Sequence, residues 1–132
     1  MILWRPTGLK ELQLVRDSGW RHWPPRLPDQ PIFYPVTTEA YAAKIARDWN
    51  SVLPPPDDLG FVTRFEIEAE LAVHYPVQQA GGRAHEELWV PAEELEAFNR
   101  GIVGQIELVG GFRGGAPMAL SEARSVLMQA RA

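Results

Sequence analysis

GFVTRFEIE, residues Gly60 to Glu68, alternates with a period of two: Phe61, Thr63, Phe65 and Ile67 fall on one face, and Val62, Arg64 and Glu66 on the other. Successive side chains of an extended chain point to opposite sides, so this run predicts a strand with one face on a core. The stretches on either side follow a different rule. Tyr41, Ile45 and Trp49 recur every four residues, which predicts a helix over Glu39 to Trp49 that begins at Thr37 or Thr38 and packs on the sheet. A strand next to helices, with no regular β-α-β alternation, predicts a mixed α+β domain.

Working outward toward the N-terminus, Met1 to Arg5 reads as a strand stopped by Pro6, with Arg5 at its end. Thr7 is placed to cap a helix over Gly8 to Arg16, with Leu9, Leu12 and Val15 on one face and Gly19 ending it. The segment WRHWPPRLPDQP, Trp20 to Pro31, holds four prolines and is expected to be a loop, unusually rich in tryptophan, arginine and histidine for a connector. Ile32 to Val36 follows as a strand.

Toward the C-terminus, a helical turn is expected over Glu68 to Tyr75, a strand fragment over Val77 to Gln79, a flexible AGGR turn, and a strand from Glu87 to Val90 stopped by Pro91. AEELEAFNRG reads as a short helix ended by Gly101, and Ile102 to Val109 as a strand. Residues 110–117, GGFRGGAP, read as a flexible linker to a last helix over 119–130. There is no internal repeat.

A chain of 132 residues fits one domain. Hydrophobic residues at 45% and charged residues at 23% are ordinary for a soluble globular protein, which argues against a disordered or membrane class. The net charge of -4, with Lys and Arg scattered, predicts no bulk nucleic-acid binding. With no cysteine there is no thiolate zinc site, and the three histidines, His22, His74 and His85, have no metal-ligand spacing, so no metal is expected. No signal sequence or long apolar run is evident, so no membrane partner is expected and the expected location is cytoplasmic.

The stretch AHEELWVPAEEL, Ala84 to Leu95, concentrates acidic groups. Glu93 and Glu94 sit in a first helical turn, where negative charge suits the helix dipole. In the preceding strand Glu86, Leu88 and Val90 share the core face, which leaves His85, Glu87 and Trp89 on the other. Glu87 therefore faces either a cleft or solvent at a strand edge, with His85 beside it as a candidate general base. His22, in the aromatic loop, is a candidate for lining the same cleft. Asn99 reads as a helix-end cap.

The strings LWRPTGLKELQLV, WPPRLPDQPIFYPVTTEAYAAKIARDWN and HEELWVPAEELEAFNRGIVGQIELV resemble a set of small bacterial proteins that carry an ADP-ribosylation (crystallin-type) label. The aspartates show none of the two-metal pattern of ADP-ribosylglycohydrolases. The element order is instead similar to the ADP-ribosyltransferase-like fold, split β-sheets with short flanking helices gripping NAD between them. That resemblance implies Arg5 of LWRP as a cofactor-holding residue at the end of an early strand. It implies Tyr34, Thr37, Thr38 and Tyr41 of IFYPVTTEAYA as the aromatic and hydroxyl-bearing stretch, and Glu87 of HEELWVP as the catalytic glutamate. His85 stands where many members have a glutamate or glutamine that helps select the acceptor.

The chemistry gives reasons for these residue types. Breaking the bond from nicotinamide to ribose develops positive charge on the sugar, which a carboxylate near the 2′-hydroxyl stabilises. Arginine offers a planar fork for a pyrophosphate, and tyrosine a ring to stack on nicotinamide. Each residue also has a purely structural reading: Arg5 in an ion pair, Tyr34 and Tyr41 in packing, Thr37 and Thr38 as caps. The resemblance implies a protein that binds NAD or a related nucleotide as substrate and transfers or hydrolyses ADP-ribose, with a protein as a candidate acceptor. A non-catalytic nucleotide- or protein-binding module built on the aromatic loop is the alternative. An RNA 2′-phosphotransferase-like enzyme is a third, disfavoured by the net negative charge.

Overall fold

The computed structural model describes residues 1–81 and 85–129, and it is a mixed α+β chain. Strands β1 (Ile2–Thr7), β3 (Leu59–Ile67), β7 (Ile102–Arg113) and β8 (Ala116–Met118) form an antiparallel sheet in that order. β2 (Ile32–Phe33) pairs with β6 (Val90–Pro91), and β4 (Gln78–Gln79) with β5 (Glu86–Glu87). The helices are α1 (Leu9–Asp17), α2 (Glu39–Asp48), α3 (Ala69–Ala72), α4 (Leu95–Arg100) and α5 (Leu120–Gln129).

The alternation in β3 is what the sheet is built on. Phe61, Thr63, Phe65 and Ile67 are buried on one face. Val62 is buried on the other because α2 covers it through Ala42 and Ala46. A Cβ on Gly60 would clash with the backbone carbonyl of Ala46, so glycine at this point of β3 is what lets α2 approach. The helix meets the sheet through these small side chains with Tyr41 and Ile45 partly buried against the same cluster, as expected, while Trp49 departs from the expectation and is 74% exposed.

Several boundaries moved for identifiable reasons. β1 runs through Pro6 to Thr7 instead of ending at Arg5. Trp4 exchanges both backbone hydrogen bonds with Val36, on the side away from β3. Pro6, two residues on, points the same way, so its missing N–H removes nothing from the β1–β3 ladder. Thr7 is buried in the strand and caps nothing; Gly8 occupies the N-cap of α1 without a side-chain bond. For α2 the cap is Thr38, whose hydroxyl accepts from the N–H of Tyr41 at 3.2 Å.

The expected strands over Ile32 to Val36 and Glu87 to Val90 are each divided. Ile32 and Phe33 pair with Pro91 and Val90, whereas Val36 bridges Trp4 on one side and Glu87 on the other. Residues 110–117 are a β-hairpin and not a linker: β7 continues through Gly110 and Gly111 opposite Val62 and Phe61. It turns at Gly114 and Gly115, with φ of 57° and 84°, and returns as β8. Two successive positive φ values are the requirement of a tight hairpin turn, which glycine meets without strain. Two expectations extend past the described residues, the AGGR turn at Gly82 and Arg83 and the last helix at Ala130.

The aromatic loop contributes to the core. Trp23 is 1% exposed and packs against Phe33 and Phe65 with ring centroids 5.5 and 5.3 Å away. Asn99 clamps it in place, accepting from the N–H of Trp23 and donating to its carbonyl, both at 2.9 Å. Asn99 thus serves the loop instead of capping α4, whose C-cap is Gly101. No helix among the described residues is long and apolar enough to cross a membrane.

Candidate functional site

The backbone brings β1, residue 36 and β5 side by side. Trp4 bridges Val36 and Val36 bridges Glu87, with Thr37 N–H donating to the Glu86 carbonyl at 3.0 Å and Leu88 N–H to that of Pro35 at 2.9 Å. Adjacent strands lie about 4.8 Å apart, so about 10 Å separates the chain at Trp4 from that at Glu87. Bridged residues share a face, and α2 covers the face that carries Trp4 and Val36. Glu87 therefore emerges beside α2. Leu88 and Val90 point the other way and are fully buried.

A cleft of about 810 Å³ opens there, and Arg5, Tyr34, Tyr41, His85, Glu87 and Trp89 all line it. Such a volume lies in the range of small-molecule sites. Lys44 and Ile45 of α2 and Trp49 at its C-cap extend the wall, so Tyr41 and Ile45 border the cleft as well as the core cluster. Tyr34, Trp49 and Trp89 are exposed aromatics, 40%, 74% and 47% accessible.

Glu87 is held at both oxygens. The Tyr41 hydroxyl donates to Oε2 at 3.2 Å and the Trp89 indole N–H to Oε1 at 2.8 Å. Tyr41 also stacks on His85, with centroids 4.6 Å apart and planes 12° from parallel. Partial burial, and then the charge and hydrogen bond of Glu87, push the Tyr41 phenol above its ordinary range, so it stays protonated and donates. Two lone pairs on each carboxylate oxygen leave Glu87 free to accept from a ligand hydroxyl as well.

Arg5 is engaged differently from the expected pyrophosphate fork. Its Nε and Nη2 donate to the two oxygens of Glu11, at 2.6 and 2.9 Å, and its Nη1 to the Tyr34 carbonyl at 3.3 Å. The guanidinium lies over the Phe33 ring, 4.5 Å from its centroid. Arg26 approaches the same Glu11 carboxylate at 3.6 Å, and burial followed by the field of Arg5 lowers its pKa. Arg5 thus anchors α1 and the backbone of Tyr34 beneath the cleft floor.

Two expected site residues are not part of this arrangement. Thr37 ties strands together, its hydroxyl donating to the Glu86 carbonyl at 3.4 Å and to Oε1 of Glu86 at 3.3 Å. His22 lies in a separate cavity of about 870 Å³ with Leu14, Trp23, Leu95 and Asn99. Trp23 plugs the core there and carries the adjoining loop to the groove between α1 and α4. Trp23 itself is 1% exposed, so its ring serves the core.

Glu11, Lys44, Trp49 and Arg26 are absent from the sequence reading of the site. Lys44 has a signal, standing three residues after Tyr41 and so on the same side of a helix. Glu11 has none, because its pairing with Arg5 depends on how α1 folds back on β1. Among the described residues no group of His, Asp and Glu is arranged to hold a metal ion. The chain matches no protein-family model, no curated protein and no solved structure.

Proposed function

We infer that the cleft binds NAD and that Glu87 acts on its ribose, as in an ADP-ribosyltransferase-like enzyme with split β-sheets. The observation that carries this reading is the convergence of Glu87, His85, Tyr41, Tyr34 and Arg5, drawn from four separate stretches of the chain, on one cleft. A carboxylate fixed by two donors at a strand is suited to accept from a ribose 2′-hydroxyl and to stabilise positive charge on the sugar. The bond from ribose C1′ to the nicotinamide nitrogen breaks with its electron pair leaving on nicotinamide. An acceptor oxygen forms the new bond to C1′, and His85, next to Glu87 on the cleft wall, takes the acceptor's proton. Water as acceptor gives hydrolysis; a side-chain hydroxyl of a protein gives transfer. Tyr34 and Trp89 offer exposed rings for the nicotinamide.

A non-catalytic nucleotide-binding module in the same cleft is the second reading. It is favoured by the fact that both Glu87 oxygens already have partners within the chain. Calorimetric titration with NAD and an assay of nicotinamide release, on wild type and Glu87→Gln, separate the two. The enzyme reading expects NAD binding by both proteins and release only by the wild type. Binding without release by either leaves the binding module, and no heat at millimolar NAD removes the enzyme reading.

A further inference from the structure

Cations with free donors are scarce in the cleft. Arg5 gives its fork to Glu11, and Arg26 shares that carboxylate, so two guanidinium charges face one carboxylate behind Tyr34. The surplus positive charge draws anions toward the cleft floor without offering a bidentate grip. Lys44 is different. It is exposed on the cleft wall and makes no hydrogen bond or ion pair among the described residues. Asp48, a carboxylate that feels its charge, is committed to Arg47 through bonds of 2.7 and 3.1 Å.

The position of Lys44 along α2 adds a ruler. At a rise of about 1.5 Å per residue it stands about 4.5 Å along the axis from Tyr41 and about 7.5 Å from Trp49. Tyr41 stacks on His85 beside Glu87 at one end of the wall, and the Trp49 ring stands 74% exposed at the other. The cleft lining therefore carries a ring, a cation and a ring in that order over about 12 Å of helix axis.

We propose that Lys44, and not Arg5, is the phosphate contact of the cleft, and that Trp49 stacks on the second base of a dinucleotide whose first base lies beside Glu87. This rests on the NAD reading and specifies it: the ligand class is a dinucleotide pyrophosphate, held by one rim ammonium and two aromatic ends.

The test is calorimetric titration of wild type, Lys44→Ala, Lys44→Arg and Trp49→Ala with NAD, nicotinamide mononucleotide and nicotinamide riboside. Lys44→Ala is expected to weaken NAD about tenfold at low salt, the size of a lost charged hydrogen bond, and to leave nicotinamide riboside, which has no phosphate, unchanged. Lys44→Arg retains NAD. Trp49→Ala weakens NAD and leaves the mononucleotide unchanged. Undiminished NAD binding by Lys44→Ala overturns the proposal while the NAD reading stands, and so does an equal loss of all three ligands. Absence of NAD binding by the wild type overturns both.

Discussion

Tyr41 donates its hydroxyl to Glu87 while its ring lies flat on His85, so one helical residue orients both side chains. The contact joins α2 to β5, elements 46 residues apart. The Tyr41 phenol is raised by burial first and then by Glu87. Glu87→Gln removes the carboxylate's charge and leaves the burial, so the Tyr41 ionisation midpoint is expected to fall toward, without reaching, the ordinary value of about 10. Carbon-13 NMR of labelled tyrosine, titrated in both proteins, reads this directly. An unchanged midpoint means that Tyr41 and Glu87 are not in contact in solution.

Glu11 holds two arginines in a largely buried cluster, with side-chain exposures of 10% for Arg5 and 22% for Glu11. Glu11→Gln keeps the shape and removes the only carboxylate paired with those two guanidiniums among the described residues. Uncompensated charge of this kind costs about 3 kcal/mol, discounted here toward about 2 by the partial exposure. Urea denaturation of the two proteins measures it. A loss under about 0.5 kcal/mol shows that water, and not Glu11, satisfies the arginines.

The strand at Gly60 to Glu68 was readable because the period of two depends only on which residues are apolar, and Phe61, Thr63, Phe65 and Ile67 obey it. The face relation of Glu87, Leu88 and Val90 was readable for the same reason, although no single strand spans them. Helix α2 shows where local pattern stops. Tyr41, Ile45 and Trp49 have the right spacing and the first two pack on the cluster, but the close approach is made possible by Gly60, a residue on another element that admits the backbone of Ala46. The hairpin at Gly114 was hidden because glycine-rich sequence reads as a linker until its neighbours in β3 are known. Arg5 was identifiable as a strand arginine, although β1 runs two residues past it, and its partner Glu11 was not, since only the fold brings them together.

Two tryptophans, Trp23 and Trp49, carry opposite expectations. Trp23 is 1% exposed among Phe33 and Phe65, so Trp23→Ala leaves a large cavity and is expected to cost about 4 kcal/mol. Trp49, 74% exposed on the cleft rim, is expected to change stability by less than about 0.5 kcal/mol on substitution by alanine. Thermal unfolding of both variants decides the matter. A Trp23→Ala protein as stable as wild type means that the aromatic loop does not enter the core.

Tyr75 sets an alkaline limit on stability. It is buried beside Phe98 and donates its hydroxyl to Glu94 at 2.8 Å, fastening the end of α3 to the turn before α4. Burial, then the hydrogen bond and charge of Glu94, push its phenol up to about 12. In the unfolded chain the same group ionises near 10. Below that pH both states keep the proton and the contribution of Tyr75 is fully present. Between about 10 and about 12 only the unfolded state releases it, so stability falls as pH rises through this window. Denaturation across the window, compared with Tyr75→Phe, is expected to show a steeper alkaline decline in the wild type. Parallel curves for the two proteins would mean that the Tyr75 phenol ionises alike in the folded and unfolded states.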